Sequence, residues 1–136
     1  LKPLVRKAFD QGLLTKNHLD DFHRFYSRLA ELLPTEAPSL LHGDLWSGNL
    51  LCGAGQEAVF IDPAVYYGHR EVDIAMTRMF GGFDPVYLDH YQEIFPLEKG
   101  WEERIPIHNL YPQLVHLVLF GPSYLSGIEN VIQRYT

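Results

Sequence analysis

His42, Gly43 and Asp44 are followed by Asn49 in a D-x-x-x-x-N spacing, and Asp62 comes thirteen positions after Asn49 at the end of an apolar run. Phosphoryl transfer needs groups of these kinds. A carboxylate must orient an attacking hydroxyl and accept its proton, and oxygen ligands must hold magnesium against the phosphates, because Mg2+ prefers carboxylate and amide oxygens in an octahedral shell. One Asp and one Asn on a tight loop, with a second Asp delivered by a neighbouring segment, supply those parts. His42 can support the loop by bonding a carboxylate or a backbone carbonyl, and Gly43 and Gly48 allow a backbone path barred to other residues. The same residue types are ordinary turn formers, and a lone D-x-x-x-x-N is common by chance. What lifts the motif above that background is His42-Gly43 before it and Asp62 after an apolar strand.

The elements that must hold these residues read mainly as helices. Leu1 to Leu14 has Leu4, Val5, Ala8 and Phe9 on one face and stops at Gly12. From Thr15 or Asn17 to Leu33, Leu19, Phe22, Tyr26, Leu29 and Leu33 recur at three- and four-residue steps, and Pro34 ends the run. A short apolar run, Ser39 to His42, leads into Gly43-Asp44. Asn49–Cys52 and Glu57–Ile61 read as two strands around the turn Gly53–Gln56, a hairpin that brings Asn49 and Asp62 together at its open end. A loop is expected to Gly68, then a helix from Arg70 to Phe80 with Val72, Ala75, Met76 and Met79 inward. Asp84-Pro85 opens a helix to about Phe95. From Trp101 onward the chain reads as helical, with Pro106 and Pro112 marking starts or kinks. Leu114, Val115, Leu117, Val118 and Phe120 are apolar on nearly all sides, the pattern of a buried helix. Cys52, beside Leu50 and Leu51, reads as a buried small hydrophobe. The expectation is one mainly α unit with a small β-hairpin carrying the polar residues.

Composition narrows the classes. Hydrophobic residues make up 46% and aromatics 13% of the 136 residues, enough for a core. Net charge is −6 and the 11 Lys and Arg are scattered singly, so no basic stripe follows a phosphate backbone and nucleic acid is excluded as a partner. The single cysteine excludes an internal disulfide framework and a cysteine-based zinc motif, which suits a cytoplasmic setting. No apolar run approaches the ~20 residues of a membrane span, so no membrane partner is expected.

His42-Gly43-Asp44-Leu45-Trp46-Ser47-Gly48-Asn49 resembles the catalytic loop of the fructosamine kinase (ketosamine kinase) family, within the wider aminoglycoside phosphotransferase and choline kinase group of protein-kinase-like fold. Asp62-Pro63-Ala64-Val65-Tyr66-Tyr67-Gly68-His69-Arg70-Glu71-Val72-Asp73 is similar to that family's metal-binding segment, and Leu110-Tyr111-Pro112 and Phe120-Gly121-Pro122-Ser123-Tyr124 resemble its C-terminal helices. The resemblance implies the C-terminal lobe of a protein-kinase-like α+β fold, with Asp44 as catalytic base and Asn49 and Asp62 as magnesium ligands. It also implies ATP and Mg2+ as cofactors, a ketosamine sugar hydroxyl as acceptor, and repair of glycation as the role.

Other residues keep two readings. Trp46 either stacks on a sugar ring or packs under the loop. His69, Arg70 and Glu71 either line the acceptor site or, for Arg70 and Glu71, open a helix and hold the loop by ion pairs. Asp73 is expected to support the catalytic-loop backbone. His18, His23, His90, His108 and His116 have no metal-ligand spacing. A glycine-rich loop and a strand lysine, which this fold uses to hold nucleotide, are not found before His42: Lys2, Lys7 and Lys16 sit in helical or turn contexts. The expectation is therefore a partial C-lobe whose N-lobe belongs to the same longer polypeptide, poorly active alone and prone to self-association. Competing readings are a non-catalytic kinase-like scaffold, another small-molecule phosphotransferase, and a metal-dependent hydrolase built on His42, Asp44, Asp62 and His69.

Overall fold

A computed structural model describes all of residues 1–136. The apolar steps along the first segments give α1 (Lys2–Asp10) and α2 (Lys16–Leu32). Thr15 caps α2 by accepting from His18 N, while Thr15 N donates to His18 Nδ1, so two orphan N–H groups at the helix start are satisfied. Four short strands follow, β1 (Ser39–Leu41), β2 (Leu50–Cys52), β3 (Ala58–Phe60) and β4 (Tyr66–Gly68). Then come α3 (Glu71–Met79), α4 (Val86–Ile94), α5 (Trp101–His108), α6 (Leu110–Phe120) and α7 (Leu125–Tyr135). Asp84 Oδ1 accepts from Val86 N at the start of α4. Pro106 falls within α5, and Pro112 stands in the first turn of α6, where a missing N–H leaves no bond unmade. No helix is long and apolar enough to cross a membrane.

The chain forms two compact units, residues 1–34 with 109–136, and residues 35–108. In the first, α1 packs on α6 and α2 on α7. Its core holds Val5, Ala8, Phe22, Phe25, Leu110, Leu114, Leu117 and Ile128. In the second, α3 packs on α5, and Ile74, Leu97 and Trp101 form a buried cluster flanked by Tyr87, Leu88, Tyr91 and Ile105.

The expected hairpin is present: β2 and β3 pair antiparallel with Leu50 opposite Phe60 and Cys52 opposite Ala58. Five local expectations change. Residues 66–68, expected in a loop, form β4 and pair antiparallel with β1, Leu41 opposite Tyr66. The partner lies far upstream, so no local pattern announces it. Phe25, outside the expected apolar face of α2, is fully buried, and Ile74 joins the inner face of α3. Helix α6 buries one face only, since Leu119 and Phe120 remain 64% and 65% exposed. Cys52 is exposed, because both faces of the small hairpin are largely open to solvent.

Candidate active site

Both sheets end at one loop. Strand β1 delivers His42 and Gly43, and the β2–β3 hairpin opens toward Asn49 on one side and Asp62 on the other. The hairpin ladder continues beyond its last strand pair, with Ile61 N donating to Asn49 O at 3.0 Å. Asp62 therefore leaves the ladder next to Asn49.

His42 ties this loop to the segment carrying Asp62. Its Nδ1 accepts from Asp44 N at 3.3 Å, which leaves Nε2–H to donate to Ile61 O at 3.0 Å. Its backbone carbonyl accepts from Ala64 N at 2.8 Å. The residues on either side of Asp62 are thus fastened to one histidine. Asp62 itself has φ +50°, a left-handed conformation that costs a non-glycine residue free energy and persists only where the surroundings impose it. Gly43 next door has φ +81°, and a Cβ there would lie 2.2 Å from Ala64 O. No other residue type fits so close to the Ala64 carbonyl.

Asn49 is 7% exposed and its amide Nδ2 donates to Asp44 O at 2.9 Å and Asp44 Oδ2 at 3.2 Å. Spending the amide hydrogens on Asp44 leaves Asn49 Oδ1 as the oxygen available to a cation. Asp44 is half-buried and Asp62 exposed. Asp73, in the first turn of α3, holds the loop's other end: Oδ2 accepts from His42 N at 2.7 Å and Oδ1 from Gly43 N at 2.9 Å.

Trp46 lies against Gly48, where an added Cβ would meet its ring at 2.2 Å. Its ring edge meets Phe80 at a centroid distance of 6.1 Å, and it keeps 39% of its surface exposed. Packing on the loop and a free ring face therefore coexist. An apolar cavity of about 370 Å3 is lined by Leu41, Leu45, Leu50, Phe60, Ile74 and Tyr91, with Asp73 at its wall. Asp44, Asn49 and Asp62 do not line it.

Arg70 and Glu71 place their charged groups in ion pairs inside the second unit, with His69 beside them. Glu36 accepts from Arg70 N and Arg70 Nε and faces His69 Nδ1 at 3.1 Å. Arg70 also donates to Phe95 O and Pro96 O. Glu71, 1% exposed, takes Arg104 Nε at 2.8 Å, Arg104 Nη2 at 2.5 Å and His108 Nε2 at 3.2 Å. Burial pushes the Glu71 carboxyl up, but the Arg104 and His108 bonds outweigh it and hold the group at about 2. Sequence reasoning missed Glu36, Arg104 and His108. The one available signal was the four-residue step that puts Arg104 and His108 on one face of α5.

The convergent group of histidines and carboxylates is His69, Glu71 and His108, not the His42, Asp44, Asp62 and His69 of the hydrolase reading. Arg104 already sits on both oxygens of Glu71, and a divalent ion beside that guanidinium would meet like charge at contact distance. The cluster is an ion-pair network rather than a metal centre.

Comparison with known proteins agrees with the fold and the motifs. The fructosamine kinase family matches residues 4–136. A probable ketoamine kinase of Enterococcus faecium is 49% identical over 118 residues, which take in 85% of this chain and 43% of that protein. The chloroplastic protein-ribulosamine 3-kinase of Arabidopsis thaliana is 42% identical over 98 residues, 72% of this chain and 30% of that one. A Thermobifida fusca crystal structure named for a fructosamine-3-kinase superposes with a TM-score of 0.87 at 40% identity, covering 96% of this chain and 46% of the other. The chain thus spans less than half the length of these relatives. A mainly helical chain with these loops, matched along nearly its whole length, belongs to the fructosamine kinase family.

Proposed function

We propose that this chain carries the catalytic loop and metal-binding aspartate of an ATP-dependent kinase that phosphorylates a sugar hydroxyl of a ketosamine. Asp44 is the base, and Asn49 and Asp62 are the magnesium ligands. The single observation that carries the reading is the Asn49 amide bonded to both the carbonyl and the carboxylate of Asp44. It orients the base and turns a carbonyl oxygen, the donor Mg2+ favours, away from it. The names of the relatives, ketoamine kinase and ribulosamine 3-kinase, support the acceptor class.

The donor set fits magnesium: one amide oxygen and one exposed carboxylate, hard ligands that leave positions for phosphate oxygens. Bound there, the ion would neutralise charge on the phosphates. Asp44 accepts the proton of the sugar hydroxyl as the new O–P bond forms and the bond from the γ-phosphorus to ADP breaks. Asp73 and His42 keep the loop backbone in place while this happens, and the exposed face of Trp46 offers a surface for the sugar ring. The phosphorylated adduct is unstable, which makes the role deglycation in the cytoplasm. Residues outside this chain, in an N-lobe of the longer polypeptide, supply the glycine-rich loop and lysine for the nucleotide. Alone, residues 1–136 are inactive and self-associate through apolar surface such as Leu119 and Phe120.

The test compares two variants of the full-length protein by steady-state kinetics and nucleotide titration. Asp44→Asn abolishes turnover and keeps nucleotide affinity, whereas Asp62→Ala weakens Mg·ATP binding as well. Equal loss of nucleotide affinity in both contradicts the assigned roles.

A further inference from the structure

We infer that Glu71, Arg104 and His108 form a positioning network for the catalytic loop, acting on Asp44 and Asp62 through α3 and Asp73. The inference rests on the kinase reading above. None of the three touches a reacting atom; each sets where the reacting groups stand.

The contacts run without a break. Arg104 is anchored at the start of α5, where Nη1 donates to Lys99 O and Nη2 to Glu98 O, at 3.0 and 3.1 Å. Its Nε and Nη2 then grip the two oxygens of Glu71, the first residue of α3, and His108 on the same face of α5 adds a third bond to that carboxylate. Two residues further along α3, Asp73 spends both carboxylate oxygens on the backbone of His42 and Gly43. His42 in turn bonds Asp44 N, Ile61 O and Ala64 N, the positions that flank the base and the metal-binding aspartate. A shift of α3 along α5 therefore moves Asp44 and Asp62 together.

Energetics say why ions stand here at all. A buried ion pair is a weak source of net stability, and an apolar pair of the same volume often matches or exceeds it. What an apolar pair lacks is direction. A guanidinium gripping a carboxylate through two parallel bonds fixes distance and angle, whereas methyl groups slide. Glu36 does the same one residue upstream, holding Arg70 while Arg70 holds Phe95 O and Pro96 O. The N-terminal turn of α3 is thus set by directional bonds on both sides of Glu71, the turn from which the catalytic loop hangs. Rate is sensitive to such placement, since a misplacement of ~1 Å can cost ~100-fold.

The decisive variant replaces the pair together, Glu71→Leu with Arg104→Met, in the full-length kinase. Because Glu71 and Arg104 lose their charges together, neither leaves the other as an unpartnered buried ion, and thermal melting should stay within a few degrees of wild type. Turnover per folded molecule should nevertheless fall ~10-fold or more, and the Mg2+ concentration giving half the maximal rate should rise with it. A merely structural pair moves neither quantity. Arg104→Lys keeps the charge but not the two-point grip, and its kcat should fall at unchanged melting temperature; this variant decides the matter where the double replacement does not fold. Wild-type kcat and Mg2+ dependence in the folded variants overturn the network. A wild-type protein without ketosamine kinase activity overturns the functional reading itself.

Discussion

Replacing Asp73 by Asn isolates the bond between α3 and the His42–Asn49 loop. The side chain keeps its size, so packing is unchanged. The carboxylate now accepts from His42 N at 2.7 Å with one oxygen and from Gly43 N at 2.9 Å with the other. An Asn has one acceptor oxygen, and its NH2 must point at a backbone N–H, donor against donor. A hydrogen bond to a charged group contributes ~1.5–3 kcal/mol, so losing one and weakening the other to a neutral bond costs ~2–3 kcal/mol. The loop either accepts that cost, and urea unfolding followed by tryptophan fluorescence shows a lowered midpoint at constant m, or swings away and carries Asp44 with it. In the second case a coupled ADP-release assay shows kcat reduced ~10- to 100-fold. A variant with wild-type stability and wild-type kcat refutes the claim that Asp73 holds the loop.

Three further outcomes follow from the same contacts. Gly43→Ala forces a Cβ to within 2.2 Å of Ala64 O at φ +81°, so left-handed strain of ~1 kcal/mol and loss of the Ala64–His42 bond lower stability by ~2 kcal/mol or more in urea melts. The Glu71 carboxyl is held at about 2 against an ordinary 4.5, so its contribution is present above pH 4.5 and is lost as pH falls toward 2. At 1.36 kcal/mol per pKa unit this is ~3 kcal/mol, and Glu71→Gln should flatten the stability profile over that window. Cys52 is exposed in the folded chain, so a disulfide thiol reagent should label it fully without denaturant; protection until unfolding would show the hairpin to be covered.

The parts of the site that close over short stretches of chain were legible in the sequence. Asp44 and Asn49 sit five residues apart and bond within one loop, and Asp62 is brought to them by a hairpin whose turn is written in Gly53–Gln56. Asp73 reads in the sequence as a partner for the backbone of the His42–Asn49 loop, and its carboxylate accepts from His42 N and Gly43 N. Partners from separate segments were not legible. Glu36, Arg104 and His108 give no sign in their own neighbourhoods that Arg70 and Glu71 need them, because a buried charge is matched by whichever segment packs on it. The β1–β4 pairing was missed for the same reason. Apolar pattern also overstated burial: the helix ending at Phe120 and Cys52 read as buried, yet Leu119 and Phe120 are more than half exposed and Cys52 is open to solvent.

The central claim is that Asp44 receives a proton from a sugar hydroxyl that then takes the γ-phosphate. Phosphorus NMR of the full-length protein with Mg·ATP and a synthetic ketosamine tests it directly. A sugar phosphate monoester signal should grow in equal measure with ADP, absent without the ketosamine and absent in Asp44→Asn. Release of inorganic phosphate with no sugar phosphate, or an undiminished signal in Asp44→Asn, contradicts it.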